Sequence, residues 1–199
     1  KEKLEDGIKY LEDKIADGDG AGGSGSVSDK TLLESVVKEE VKAKLEEDNE
    51  VDRRRNNIII YRIPEDLKES PEKRKASDLQ FVVNMCDLVF NIKLQAEDVL
   101  KMYRLGRPSE GGNIRPLLIS FRSEGTKSEI MSNTKNLRES NQCFKGIGIA
   151  HDLTPRQRTE VRRVLEEAKR AQGSDTQQGN FKWIVVGQNT KPRAIKVGK

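Results

Sequence analysis

Aromatic residues are scarce in this chain, with one tryptophan, three tyrosines and five phenylalanines in 199 residues. The core must therefore be built largely from aliphatic side chains, and little material is left for stacking surfaces. Hydrophobic residues make up 34% of the chain and the mean hydropathy is −0.76. Any core is compact, and part of the chain is expected to pack only on assembly. No apolar run approaches membrane-spanning length and no signal peptide opens the chain, so no membrane partner is expected. Cys86 and Cys143 are the only cysteines. Cys86 lies on an apolar helical face, which predicts a reduced, buried thiol. With a single histidine and no CxxC, no zinc site can be drawn, and no cofactor or metal is expected. These features fit a cytoplasmic or nuclear location.

Charge is present in quantity but unevenly spread. Residues 1–50 hold 8 Lys+Arg against 15 Asp+Glu, a net of −7, while the remaining 149 residues carry a net of +11. An acidic leader before a basic body points to a polyanionic partner for the body, although a merely solubilising surface has the same signature.

The first stretch, "KEKLEDGIKYLEDKI", sets Leu4, Ile8, Leu11 and Ile15 at 4-3-4 spacing, a coiled-coil seam over residues 1–15. Two heptads are too short to be firmly helical alone. A Gly/Ser-rich linker over 16–28 follows, with the composition of an engineered joint or loop replacement. A helix is then predicted over 29–52, capped by Ser28, with Leu33, Val37 and Val41 on a drifting stripe suited to self-association or to a stalk.

From Asn56 the periodicity alternates between strand and helix. "NIIIYRIP" reads as a strand, and a helix carries Leu79, Val82, Val83, Cys86 and Val89 at helical spacing. "DVLKMYRLGRP" and "IRPLLISF" read as further strands. A short helix with Ile130, Thr134 and Leu137 precedes a fourth strand in "FKGIGIAHDL". The predicted fold class is α+β, with a split βαβ domain over 53–154 in the order β-α-β-β-α-β, both helices on one face of an antiparallel sheet and the other face open. "DLTPRQR" opens a last helix, with Thr154 as N-cap, Pro155 at the first helical position and Gln157 as capping-box partner. A two-stranded hairpin completes a small basic domain over 155–199, with 11 Lys+Arg against 4 Asp+Glu.

On the open face the positions that stack bases in ordinary RNA recognition motifs fall on Ile59, Pro116 and Leu118, and only Tyr61 and Tyr103 remain to supply rings. Cations are plentiful instead. Arg53, Arg54, Arg55, Arg62, Lys101, Arg104, Arg107 and Arg115 fall at the ends or on the open side of the predicted strands. A row of such cations follows phosphates with little sequence preference. Each arginine taken alone is as often a solvated or ion-paired surface residue.

"NNIIIYRIPE", "YRLGRP", "IRPLLISF", "GIGIAHDLTPRQR" and "FKWIVVGQNTKPRAIKV", in that order over about Asn56 to Val197, resemble the first open-reading-frame protein of LINE-type (non-LTR) retrotransposons. The resemblance implies a trimerising coiled coil, an atypical RNA recognition motif and a basic C-terminal domain. It also implies sequence-tolerant binding of single-stranded RNA, and of single-stranded DNA as a second candidate, with transcript packaging and strand-annealing chaperone activity. On it, the C-terminal contacts would be Arg156, Arg158, Arg162, Lys182, Arg193 and Lys196, beside Trp183, which could stack a base although a tryptophan in such a strand is more often core. The N-terminus departs from the family pattern, which has a long uninterrupted coiled coil. Some branches of the family carry an esterase domain, for which no Ser/His/Asp set is found here.

Two other function classes fit parts of the chain. A sheet short of rings can bind a peptide or helix, and "KEKLEDGIKYLEDKI" ahead of "GAGGSGS" has the layout of a tethered partner. An enzyme would rest on His151-Asp152, but neighbours on a strand point to opposite faces and make a poor acid–base pair. The expectation is a non-enzymatic binding protein.

Overall fold

The computed structural model describes residues 27–65, 70–108, 114–140, 143–174, 181–187 and 192–198. It is an α+β protein whose chain forms two compact units, Lys1–Glu46 and Glu47–Lys199. No described helix is long and apolar enough to cross a membrane.

In the first unit the described residues belong to helix α1 (Val27–Arg54). Leu33 lies within this helix, Val37 and Val41 are half-buried, and Val36 is exposed. Leu4, Ile8, Leu11 and Ile15 lie outside the described residues. The helix runs past the predicted end at residue 52, because no glycine or proline interrupts residues 28–55. Arg53 and Arg54 consequently form its basic last turn, where the helix dipole favours cations, rather than the entrance of a strand.

The second unit holds a four-stranded antiparallel sheet in the order β2-β3-β1-β4, built from β1 (Asn57–Tyr61), β2 (Val99–Arg104), β3 (Leu117–Phe121) and β4 (Gly148–His151). Between the strands run helices α2 (Pro71–Phe90) and α3 (Glu124–Ser132). The apolar alternation fixes the registers. Ile58 and Ile60 of β1 stand beside Ile119 and Leu117 of β3, and all four are fully buried. They join Val82, Met85 and Cys86 of α2 and Ile130 of α3 in one core. Full burial of such a side chain contributes about 1.5–3 kcal/mol relative to exposure. The Cys86 thiol is buried as expected, and burial pushes its pKa up to about 12.

Local signals place the helix ends. Ser70 caps α2 by accepting from the Lys73 N–H, Pro71 occupies the first turn, and Asn91 ends the helix in a left-handed conformation. The second helical segment is not continuous: α3 stops at Ser132, and a 3-10 turn over Thr134–Arg138 carries Leu137 into the core. In β2 the register shifts between Val99 and Lys101, so Leu100 is the extra residue of a bulge and points to solvent.

Helix α4 (Pro155–Ser174) opens on the predicted capping box. The Gln157 N–H donates to Thr154 Oγ1 at 3.2 Å, and the Thr154 N–H donates to Gln157 Oε1 at 3.0 Å. The helix packs on the hairpin of β5 (Phe181–Val186) and β6 (Arg193–Gly198). Its start is tied to residues 47–54, the part of α1 that belongs to this same second unit: Thr154 Oγ1 donates to Glu47, and Arg54 donates to Asp152 at 2.9 Å and to the Leu153 carbonyl at 3.1 Å.

Candidate nucleic-acid interface

Because strand side chains alternate, the pairings sort every residue of the four-stranded sheet onto one of two faces. The rungs Met102–Ile119–Ile58–His151 and Arg104–Leu117–Ile60–Ile149 face α2 and α3. The opposite face carries the rung Tyr103–Leu118–Ile59–Ala150, the pair Tyr61–Gly148, and Lys101–Ser120–Asn57. Leu118 is only 7% exposed between its neighbours, whereas Tyr61 and Tyr103 are 39% and 52% exposed. Both rings therefore stand on the open face, as predicted. They are separated by strand β3, so each offers its own stacking site.

The cations divide sharply. Arg104 lies on the helix side, not the open side, and its side chain is 5% exposed. All five guanidinium donors are used: Nε and Nη2 on Asp78, Nη1 on the Ile63 and Arg115 carbonyls, and Nη2 again on the Pro64 carbonyl. It staples α2 to the ends of β1 and β3 and has nothing left for a phosphate. Arg115 is likewise engaged, forked onto Glu65 with its remaining arm on the Gly106 carbonyl. The Arg115 hydrogen bonds hold the Glu65 carboxyl below its usual range, against the opposing effect of burial. Arg54 is held by Asp152 and Glu50. These three arginines are structural, a correction to their expected place on an open rim. Arg55 makes an exposed pair with Glu124 at 2.9 Å.

No carboxylate among the described residues holds Arg53, Arg62, Lys101 or Arg107, all of which are exposed. Arg62 has an unusual backbone, with φ at +66°. A left-handed conformation costs a non-glycine residue roughly 1–2 kcal/mol. Beside Tyr103, a recess of about 200 Å³ is lined by Pro71, Arg74 and Lys75 of α2 together with the Arg104–Asp78 and Arg115–Glu65 pairs. Arg74 and Lys75 were not singled out from the sequence, although the run "EKRKAS" at the helix start was the available signal.

On α4, Arg158 and Arg162 are one turn apart and continue through Leu165 to Lys169, a single exposed line beside the Val161, Val164 and Ala168 stripe. Lys169 is an addition to the expected set. Arg156 sits about 160° around the helix from Arg158 and does not join that line. On the hairpin, Lys182 and Arg193 share one face with Ile184 and Ile195, while Trp183 and Lys196 pair on the other. Trp183 is half-buried, and its backbone N–H donates to Gln172 Oε1 of α4 at 3.0 Å.

His151 faces the helix side, half-buried, and burial together with the nearby Lys127 ammonium lowers its pKa to about 4. Asp152 instead takes hydrogen bonds from Arg54 and from Asn57 Nδ2 at 3.0 Å, so the two residues do not act on a common atom. No protein-family model matches this chain, and no curated protein matches it.

Proposed function

We propose that this protein binds single-stranded RNA with little sequence preference, and that it packages and rearranges RNA strands as an oligomer. The α+β element order, with a four-stranded antiparallel sheet and helices between its strands, is compatible with an RNA-recognition-motif-like domain and so supports the reading drawn from the retrotransposon resemblance. The single observation that carries it is the meeting, on one sheet face, of exposed Tyr61 and Tyr103 with Lys101 and, over Gly148, Arg62, two cations that no carboxylate among the described residues holds. Rings stack any base and cations attract any phosphodiester, so affinity comes without a base code. Single-stranded DNA meets the same chemistry. The line Arg158–Arg162–Lys169 on α4, with Lys182 and Arg193, provides further phosphate contacts. Assembly through α1 and the segment before it, as a homotrimer on the family pattern, would multiply weak sites through effective concentration.

Titrating a fluorescein-labelled polyuridylate at several salt concentrations tests this. Binding is expected to weaken with a log–log slope of about −0.7 per phosphate neutralised. A flat salt dependence, or no binding at low salt, rejects it.

A further inference from the structure

The β1 strand ends in a way that alternation alone does not explain. In a continued strand, residue 62 would point to the same side as Ile58 and Ile60, into the helix-covered core. The left-handed φ of Arg62 breaks that alternation, and Ile63 takes the buried position instead, 1% exposed. The arginine head is thereby delivered to the open face. A Cβ built on Gly148, the partner of Tyr61 in β4, would lie 3.8 Å from Arg62 Nη2 and 3.9 Å from Tyr61 Cδ2. The guanidinium thus folds back over the one residue of that strand with no side chain, next to an exposed ring.

We propose that Arg62, Tyr61 and Gly148 form one built nucleotide subsite, in which Arg62 grips a backbone phosphate, Tyr61 stacks the attached base, and the guanidinium packs over Gly148, where a Cβ would be in ordinary contact with it and a longer side chain would reach into its place. The proposal rests on the single-stranded RNA reading above and gives it a specific anchor at the β1–β4 edge of the sheet. Glycine is the residue most at home in a left-handed conformation, so this position carries an arginine against its backbone preference. No carboxylate among the described residues accounts for that choice, and a phosphate does.

Arg62→Gly separates binding from folding, because it relieves the backbone while removing the cation. With fluorescein-labelled polyuridylate between roughly 50 and 200 mM salt, it is expected to bind about tenfold more weakly, the loss of one charged hydrogen-bond contact, with a slope shallower by about 0.7. Its melting temperature should stay level or rise. Arg62→Lys should keep the slope. Gly148→Leu, which fills the space of the guanidinium, should reproduce the loss, and adding Arg62→Gly to it should cost little more. Wild-type affinity and slope in Arg62→Gly, or a lowered melting temperature, overturns the subsite while leaving RNA binding in place. A wild-type protein without salt-dependent binding overturns the underlying reading instead, so the two failures are distinguishable.

Discussion

The two faces of the four-stranded sheet use the same residue types to opposite ends. Toward the helices, Arg104 is saturated by Asp78 and three carbonyls. On the other side, Lys101 stands three residues away with no carboxylate holding it among the described residues, in the company of Tyr103. A count of positive charge treats Arg104 and Lys101 alike. Side-chain direction separates them, one as a staple and one as a contact to an outside anion. Cations with the same sequence signature have different fates according to the parity of the strand that carries them.

The sharpest way to break this comparison is Arg104→Ala. It would leave the Asp78 carboxylate nearly buried with its main partner gone, together with three carbonyls, a situation that destabilises by about 3–5 kcal/mol. Urea denaturation should register that loss, while Lys101→Ala should stay within about 0.5 kcal/mol of wild type. Equal effects would mean that the two faces are not energetically distinct.

His151 probes the helix face by pH. Its unfolded pKa is near 6.5 and its folded pKa about 4, so between those values the unfolded chain binds the extra proton. Stability should therefore fall as pH drops from about 6.5 to about 4, and His151→Gln should flatten that part of the profile. The sign would reverse if the imidazole were charged in the folded protein. On the open face the corresponding probe is Tyr103→Ala. Removing one stacked ring should cost about 1–3 kcal/mol of binding to single-stranded RNA and leave unfolding nearly unchanged.

Much of the architecture was legible because local patterns and long-range packing agree. Ile58 and Ile60, then Leu117, Ile119 and Phe121, alternate as strands do, and the core takes up both sets. Thr154 and Gln157 sit three residues apart and make the reciprocal bonds that this spacing predicts. The failures are of two kinds. The end of α1 was misplaced because Arg53 and Arg54 carry no stop signal, only a charge that suits either context. The role of Arg104 was missed because its partner, Asp78, lies 26 residues away in sequence, on the buried stripe of α2, and nothing local in either segment links the two charges. A left-handed Arg62 was invisible for a simpler reason: where glycine would have marked the turn, an arginine stands.

The smallest expected effect tests whether exposure, rather than pairing as such, sets the worth of these arginines. Arg55 and Glu124 form a pair at 2.9 Å that looks on paper like Arg104–Asp78, but its side chains are 61% and 55% exposed. Water screens such a pair and the ordering of two long side chains offsets it, leaving at most about 1 kcal/mol. The contact from Lys127 goes to the Arg55 backbone carbonyl, which a side-chain substitution leaves in place. Arg55→Ala therefore isolates the ion pair. Its midpoint in urea should lie close to wild type and be insensitive to added salt, and a loss approaching that of Arg104→Ala would show that burial is not what divides the two arginines.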